Sequence, residues 1–223
     1  PPVIPAGTLL RLGAGYFDCA NLGPRGLPGD ARAQEIFRVD RASGARDRLE
    51  AAAALTPMVG RRDETAALNA LWQDARRGAR RLVLLRGEAG IGKSRLVLGL
   101  KQASGEQICT VRELRCFPEH SQSPFYPLAA LLGDAPDFAS RQQREQALAD
   151  MLDRLYALAA RRPLLLVVED LHWADPSTLE FLTLFVARQC AAPILAVFTA
   201  RPEFQPPWPE NQARTLTLNA LDD

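Results

Sequence analysis

A glycine-rich loop at residues 87–95 has the residue types and the spacing needed to bind a phosphate chain. Gly87, Gly92, Lys93 and Ser94 satisfy the pattern G-x-x-x-x-G-K-[ST]. Glycines in such a loop allow backbone N–H groups to point inward at phosphate oxygens. Lys93 would contact the β- and γ-phosphates of a nucleotide, and the Ser94 hydroxyl would bind Mg²⁺. The residues of the loop predicted to bind the nucleotide are Gly87, Glu88, Ala89, Gly90, Ile91, Gly92, Lys93, Ser94 and Arg95.

The segments on either side of this loop match the context that a phosphate-binding loop requires. Residues 82–85 are a short apolar run that predicts a buried strand, and residues 96–100 follow a helical pattern. A helix that begins near Lys93 would add the positive end of its dipole to the site. The strand, loop and helix therefore predict a functional phosphate site rather than a chance glycine turn.

Two adjacent carboxylates, Glu169 and Asp170, end a second apolar run at residues 163–170. Such a run is typical of a parallel strand that is buried on both faces. In nucleotide-hydrolysing proteins a carboxylate at this strand end holds Mg²⁺ and can polarise the attacking water. Neighbouring side chains on a strand point in opposite directions. We expect Glu169 to join Ser94 at the metal and Asp170 to act on the water, and the sequence leaves the opposite assignment open.

A third polar end follows the apolar run at residues 193–199. Arg201 would point toward the γ-phosphate if this strand lies between the other two, and the alternative is an ordinary surface arginine. Upstream of the loop, Val59 and Gly60 form a turn before a helix at residues 63–77. We expect that turn to lie against the adenine base.

The composition favours an ordinary globular protein. The chain has 223 residues, 47% of them hydrophobic, and a net charge of +1, so nothing in its charge attracts nucleic acid or a membrane surface. Its only lysines are Lys93 and Lys101. No apolar run approaches the length of a membrane span, and the first residues lack the features of a signal peptide. We expect a cytoplasmic protein with free cysteines, no membrane partner and no nucleic-acid partner for this fragment.

The remaining patterns predict further elements. Strands are expected at residues 107–115 and 214–218, and helices at residues 128–132 and 137–161, the second with leucines at helical spacing. Near the start of the chain, strands are predicted at residues 8–11 and 33–39, separated by a turn-rich loop at residues 21–30. Asp175 is expected to cap a helix that has Pro176 at its first position.

Taken together, residues 56–223 resemble the AAA-like ATPase module of the signal-transduction ATPases with numerous domains. The resemblance is carried by the loop itself and by four other segments. It implies an α/β P-loop NTPase fold, with a parallel five-stranded sheet of order 5-1-4-3-2 flanked by helices, and it makes Arg201 a nucleotide sensor. The other segments are Val59-Gly60-Arg61, Tyr126-Pro127, residues 168–175 and residues 199–204.

The start of the chain resembles a different family, the C-terminal end of class III adenylate/guanylate cyclase domains. The matching residues are Phe17, Leu22-Gly23, residues 25–27 and residues 37–39. The alternative is a small β appendage of unrelated origin. We therefore expect a cyclase remnant at residues 1–40, a linker at 41–55 and the ATPase domain at 56–223.

These features lead to the hypothesis of a Mg-ATP-binding switch with slow hydrolysis to ADP that controls an attached cyclase or transcriptional domain, with self-association through the ATPase domain. The alternatives are a DNA-associated AAA ATPase similar to origin-recognition proteins, a small-molecule P-loop kinase, and an interaction module that binds no nucleotide. The carboxylate pair at residues 169–170 fits hydrolysis better than kinase chemistry.

Overall fold

The chain divides into two compact units, residues 1–58 and 59–223, in a computed structural model. The structure describes residues 2–6, 8, 17–26, 33–42, 60–105, 108–132 and 140–220. Within these ranges no helix is both long enough and apolar enough to cross a membrane.

The first unit contains a three-stranded antiparallel sheet of order β1-β3-β2. Its strands are β1 (Val3–Pro5), β2 (Phe17–Arg25) and β3 (Gln34–Ala42). The small N-terminal β appendage is confirmed, although two details of its prediction were wrong. Thr8 is helical rather than extended, and Asn21 continues β2, which stays paired with β3 through a register shift. Residues 9–11 and most of the predicted linker lie outside the described ranges.

The second unit is built on five parallel strands. They are β4 (Arg80–Arg86), β5 (Thr110–Arg115), β6 (Leu164–Glu169), β7 (Ile194–Ala200) and β8 (Arg214–Thr217). All residues of β6 and β7 are buried, as expected for central strands covered on both faces. The sheet order is β5-β6-β7-β4-β8, and every described pair is parallel. When the strands are numbered 1 to 5 within this unit and the sheet is read from β8, the order is 5-1-4-3-2. The expected strand order is therefore confirmed.

The described residues of this unit contain five α-helices. They are α1 (Arg62–Arg76), α2 (Lys93–Ser104), α3 (Ala129–Leu132), α4 (Arg141–Arg161) and α5 (Pro176–Ala187). On one side of the sheet, α4 and α5 contribute apolar residues such as Leu148, Leu155 and Phe181 to a core shared with the strands. The strand after α2 and the helix α4 both begin later than predicted, at Thr110 and Arg141.

Asp175 holds the start of α5 and a neighbouring loop together. Its side chain is fully buried and accepts hydrogen bonds from the backbone N–H groups of Ser177 and Thr178, as predicted for a helix cap. It also accepts a bond of 3.1 Å from the backbone N–H of Phe125. Phe125 has a positive φ of 62°, which is unusual for a residue with a side chain. The carboxylate therefore stabilises a strained loop as well as a helix end.

We expect Asp175→Ala to lower the free energy of unfolding by about 3 kcal/mol, because it removes a helix cap and leaves buried N–H donors without an acceptor. Chemical denaturation measures this directly. Asp153→Ala is the matched control, since Asp153 is exposed and pairs with the partly exposed Arg188, and should cost no more than about 0.5 kcal/mol. Equal losses in the two variants would contradict this role of Asp175.

Candidate nucleotide-binding site

The phosphate-binding loop lies between β4 and α2, where the sequence pattern predicts it. Gly92 precedes the first turn of α2 with a φ of 106°, and Gly90 has a φ of 78°, conformations that side chains disfavour. Gly87 is needed for space, because a Cβ there would come within 2.9 Å of the Ile91 side chain and 3.0 Å of the Leu218 carbonyl. The three glycines of the loop therefore serve two different requirements, backbone conformation and close packing.

The Lys93 ammonium is buried inside this loop. Its Nζ donates to the carbonyls of Gly87 at 2.6 Å and Glu88 at 2.8 Å. Burial lowers the pKa of Lys93, and Asp170 is the largest influence in the opposite direction. The ammonium thus lies at the base of the loop, where a bound phosphate would supply a stronger, charged partner.

Glu169 links the loop to the central sheet. Only 2% of its surface is exposed, and its Oε2 accepts hydrogen bonds from Ser94 Oγ at 2.6 Å and from the guanidinium of Arg115 at 3.0 Å. A buried carboxylate requires such partners because water no longer stabilises its charge. The hydroxyl and the carboxylate predicted to bind the metal are therefore in direct contact.

The backbone of Asp170 has an unusual conformation that is held by β7. It has a positive φ of 61°, and its N–H donates to Thr199 Oγ1 on β7 at 2.9 Å. Non-glycine residues with this conformation are uncommon and often occur at functional sites. The left-handed turn at Asp170 therefore follows directly after Glu169, the last residue of β6.

Arg201 follows the end of β7, which lies between β4 and β6 as the prediction required. Its guanidinium lies 5.6 Å from the centre of the Trp173 ring. Its charge helps to lower the pKa of Lys93 and that of His172, in both cases after the larger effect of burial. Arg201 is therefore near the loop lysine rather than on a remote surface.

The turn predicted to contact adenine is described only from Gly60 onward, since Val59 lies outside the described residues. Gly60 has a φ of 73°. The next residue, Arg61, is buried and donates to the carbonyls of Ile91 in the loop and Asn219 after β8. This contact brings the turn to the phosphate loop.

The structure therefore gathers the loop residues, Glu169, Asp170 and Arg201 at the carboxyl ends of β4, β6 and β7. Sequence reasoning missed three participants, namely the Arg115 side chain, the Thr199 hydroxyl and the Arg61 side chain. Arg115 ends β5, the neighbour of β6. The sequence predicts that Arg115 ends a strand. Its contact with Glu169 also requires that this strand lie next to β6, which the local pattern of residues does not show.

The donor set fits Mg²⁺ and a phosphate chain. Mg²⁺ prefers hard oxygen ligands and is commonly bound by one or two protein oxygens together with phosphate oxygens and water. Ser94 Oγ and Glu169 Oε2 are two such oxygens 2.6 Å apart, which places both at one point beside the start of α2. Lys93 and the N-terminus of α2 add positive charge for the phosphates.

The site agrees with a match to a known family. The model of the AAA ATPase domain family matches residues 57–197, more than half of the chain. An uncharacterized protein of Rhizobium meliloti (strain 1021) is 25% identical over 212 residues, a match that covers 74% of this chain and 21% of that protein. The chain therefore spans about a fifth of the length of that relative.

Solved structures that are similar in fold include a Cdc6p protein and an ORC1 protein. The Cdc6p protein of Pyrobaculum aerophilum has a TM-score of 0.53 and 15% identity, covering 75% of this chain and 48% of that chain. The ORC1 protein of Aeropyrum pernix, solved in complex with DNA, has a TM-score of 0.52 and 18% identity, covering 74% and 46%. The chain thus spans about half of each. The P-loop NTPase fold is thereby confirmed.

A double-mutant cycle tests the Arg115–Glu169 pair. Arg115→Met should lower the free energy of unfolding by about 3 kcal/mol, because it leaves a buried carboxylate without its cation. In a Glu169→Gln background the same change should cost about 1 kcal/mol or less, since a neutral amide does not need the cation. Equal costs in the two backgrounds, measured by urea denaturation without nucleotide, would show that the pair is not coupled.

Proposed function

Because this chain belongs to the AAA ATPase domain family, we propose that its second unit is a Mg-ATP-binding switch that hydrolyses ATP slowly. The observation that carries the proposal is the contact between Ser94 and Glu169. It joins the phosphate loop to the end of β6 and brings together the two oxygens that we propose as ligands of Mg²⁺, beside the loop proposed to bind the phosphates. This arrangement suits a nucleoside triphosphate with its metal better than a simple phosphate ester.

In this proposal each group has one task. Lys93 and the loop N–H groups bind the β- and γ-phosphates, while Ser94 and Glu169 hold Mg²⁺, which when bound neutralises charge on the phosphate oxygens. Asp170 orients the attacking water. Arg201 contacts the γ-phosphate and distinguishes ATP from ADP. Gly60, together with Val59, borders the adenine.

Slow turnover follows from the tasks already assigned to the arginines of the site. Arg115 is engaged with Glu169, Arg61 donates to the carbonyls of Ile91 and Asn219, and Arg201 is the proposed sensor of the γ-phosphate. Rapid phosphoryl transfer commonly uses an additional arginine that stabilises charge in the transition state. We propose that a partner, including a second copy of this domain, supplies such a group when fast hydrolysis is needed.

The nucleotide state would act on a neighbouring signalling domain. This part of the proposal rests on the resemblance of residues 56–223 to signal-transduction ATPases and of residues 17–39 to the end of cyclase domains. The small antiparallel sheet of the first unit would then be the end of a cyclase domain, and a transcriptional domain is the other expected recipient of the signal.

A DNA-associated role is the alternative. The ORC1 protein of Aeropyrum pernix was solved with DNA, but the likeness of this chain to it concerns the fold. With a net charge of +1, this chain offers no general attraction for a phosphate backbone. We therefore prefer the switch, and salt-dependent binding of duplex DNA at physiological ionic strength would favour the alternative.

Lys93→Ala should weaken the binding of both ATP and ADP by at least about tenfold, because a charge-assisted hydrogen bond to phosphate is lost. Calorimetric titration in the presence of Mg²⁺ measures the affinities. Lys101→Ala is the matched control, since the only other lysine pairs with Glu113 between α2 and β5. It should leave nucleotide affinity within about twofold while lowering stability. Unchanged binding by Lys93→Ala would contradict the proposed site.

Replacing each carboxylate with its amide shows which of Glu169 and Asp170 binds the metal and which acts on the water. Glu169→Gln should raise the Mg²⁺ concentration needed for half-maximal ATP binding by about tenfold, since a metal ligand loses its charge. Asp170→Asn should bind Mg-ATP normally and lose at least about a hundredfold in turnover, as expected for a group that acts on the water. A reversal of these two phenotypes, in Mg²⁺ titrations and phosphate-release assays, would reverse the assignment.

A further inference from the structure

We infer that Arg61 is a positioning residue that ties the phosphate-binding loop to the segment after β8, residues 218–220, so that nucleotide binding and the position of this segment are coupled. This inference rests on the proposed function, since it concerns how occupancy of the same loop is transmitted. Residues 218–220 are called the post-β8 segment below.

The Arg61 guanidinium is almost fully buried, with 7% of the residue exposed. Its NH2 group donates to the carbonyl of Ile91 at 3.3 Å and to the carbonyl of Asn219 at 2.6 Å, while NH1 donates to Glu64 at 2.9 Å. One planar cation therefore bonds to the phosphate loop, to the post-β8 segment and to α1. The guanidinium suits this task because its donors lie in a fixed fork.

Two further contacts join the same segment to the loop. The Leu218 N–H donates to the carbonyl of Arg86 at 2.7 Å, directly before the loop begins. Leu218 also packs so closely on Gly87 that a Cβ at residue 87 would lie 3.1 Å from the Leu218 Cβ. The post-β8 segment thus contacts Gly87 directly. Through Arg61 it is also linked to Ile91, which lies shortly before the start of α2.

This packing implies coupling between the two segments. Any movement of the Ile91 carbonyl when phosphate enters the loop changes a bond of the same NH2 group that holds Asn219. Coupling of this kind is reciprocal, so the post-β8 segment must in turn affect nucleotide affinity. Arg61 acts through the loop and does not need to contact the nucleotide, and for this reason it is a positioning residue rather than a catalytic one.

The test compares the complete chain with its Arg61→Met and Arg80→Met variants by residue-resolved amide exchange. Arg80 is the matched control, because its guanidinium also donates to backbone carbonyls, those of Phe185 and Val186, away from the phosphate loop. Without nucleotide, Arg61→Met should raise the exchange rates of the Ile91 and Leu218 amides together by about tenfold, as expected for loss of a charged hydrogen bond. Arg80→Met should change neither rate.

The second measurement adds saturating Mg-ATP or Mg-ADP. In the unsubstituted chain the nucleotide should slow exchange at Leu218 by at least about threefold, and in Arg61→Met this effect should vanish while nucleotide still binds. Equal protection of Leu218 in both proteins would overturn the inference. If Arg61→Met does not fold, the same measurement is made with Arg61→Lys, which keeps the charge but lacks the planar fork of donors. Protection of Leu218 by nucleotide in Arg61→Lys, equal to that in the unsubstituted chain, would also overturn the inference.

The outcome also separates this inference from the proposed function. If the unsubstituted chain binds no nucleotide, both are overturned. If it binds nucleotide with the affinity lost in Lys93→Ala, but Leu218 does not respond, only the inference about Arg61 is overturned.

Discussion

The site depends on the position of β7 between β4 and β6 in a sheet of parallel strands. Because all carboxyl ends of parallel strands lie at one edge, this order brings the phosphate loop after β4, the carboxylates after β6 and Arg201 after β7 to neighbouring places. The three strands are apolar runs with buried interiors, so both faces of the sheet are covered and polar groups are confined to the ends of the strands. The hydrophobic core therefore determines where the charged groups meet.

Burial at this edge has an electrostatic cost that explains the contacts of the site. Glu169 is almost completely buried, and it is stabilised by a guanidinium from β5 and by a hydroxyl from α2. The charge proposed to bind the metal is thus held by a neighbouring strand and by the helix that follows the phosphate loop. If either partner is lost, the Glu169 carboxylate is left buried without full compensation of its charge. The contributions of the two partners to stability are therefore not independent.

Much of this could be predicted from the sequence, because glycine spacing, apolar runs and strand-end carboxylates are local signals. They located the loop, β4, β6, β7 and the cap at Asp175. The contacts of Arg115, Thr199 and Arg61 were not predictable in this way, since each joins elements that are distant in sequence. The error at Asn21 has a similar origin, because a turn-rich composition cannot show that a neighbouring strand continues to pair through an irregularity.

The hydrogen bonds of the loop are compatible with a bound phosphate chain and Mg²⁺. The Lys93 ammonium has three N–H donors and uses two of them on the carbonyls of Gly87 and Glu88, so a third can bond to a phosphate oxygen. The Ser94 hydroxyl donates its proton to Glu169 and keeps its oxygen lone pairs for a metal. The contacts that hold the loop can therefore persist when a nucleotide binds. Preorganisation of this kind lowers the cost of ordering the site, so neighbouring contacts that keep the loop in place would contribute to affinity.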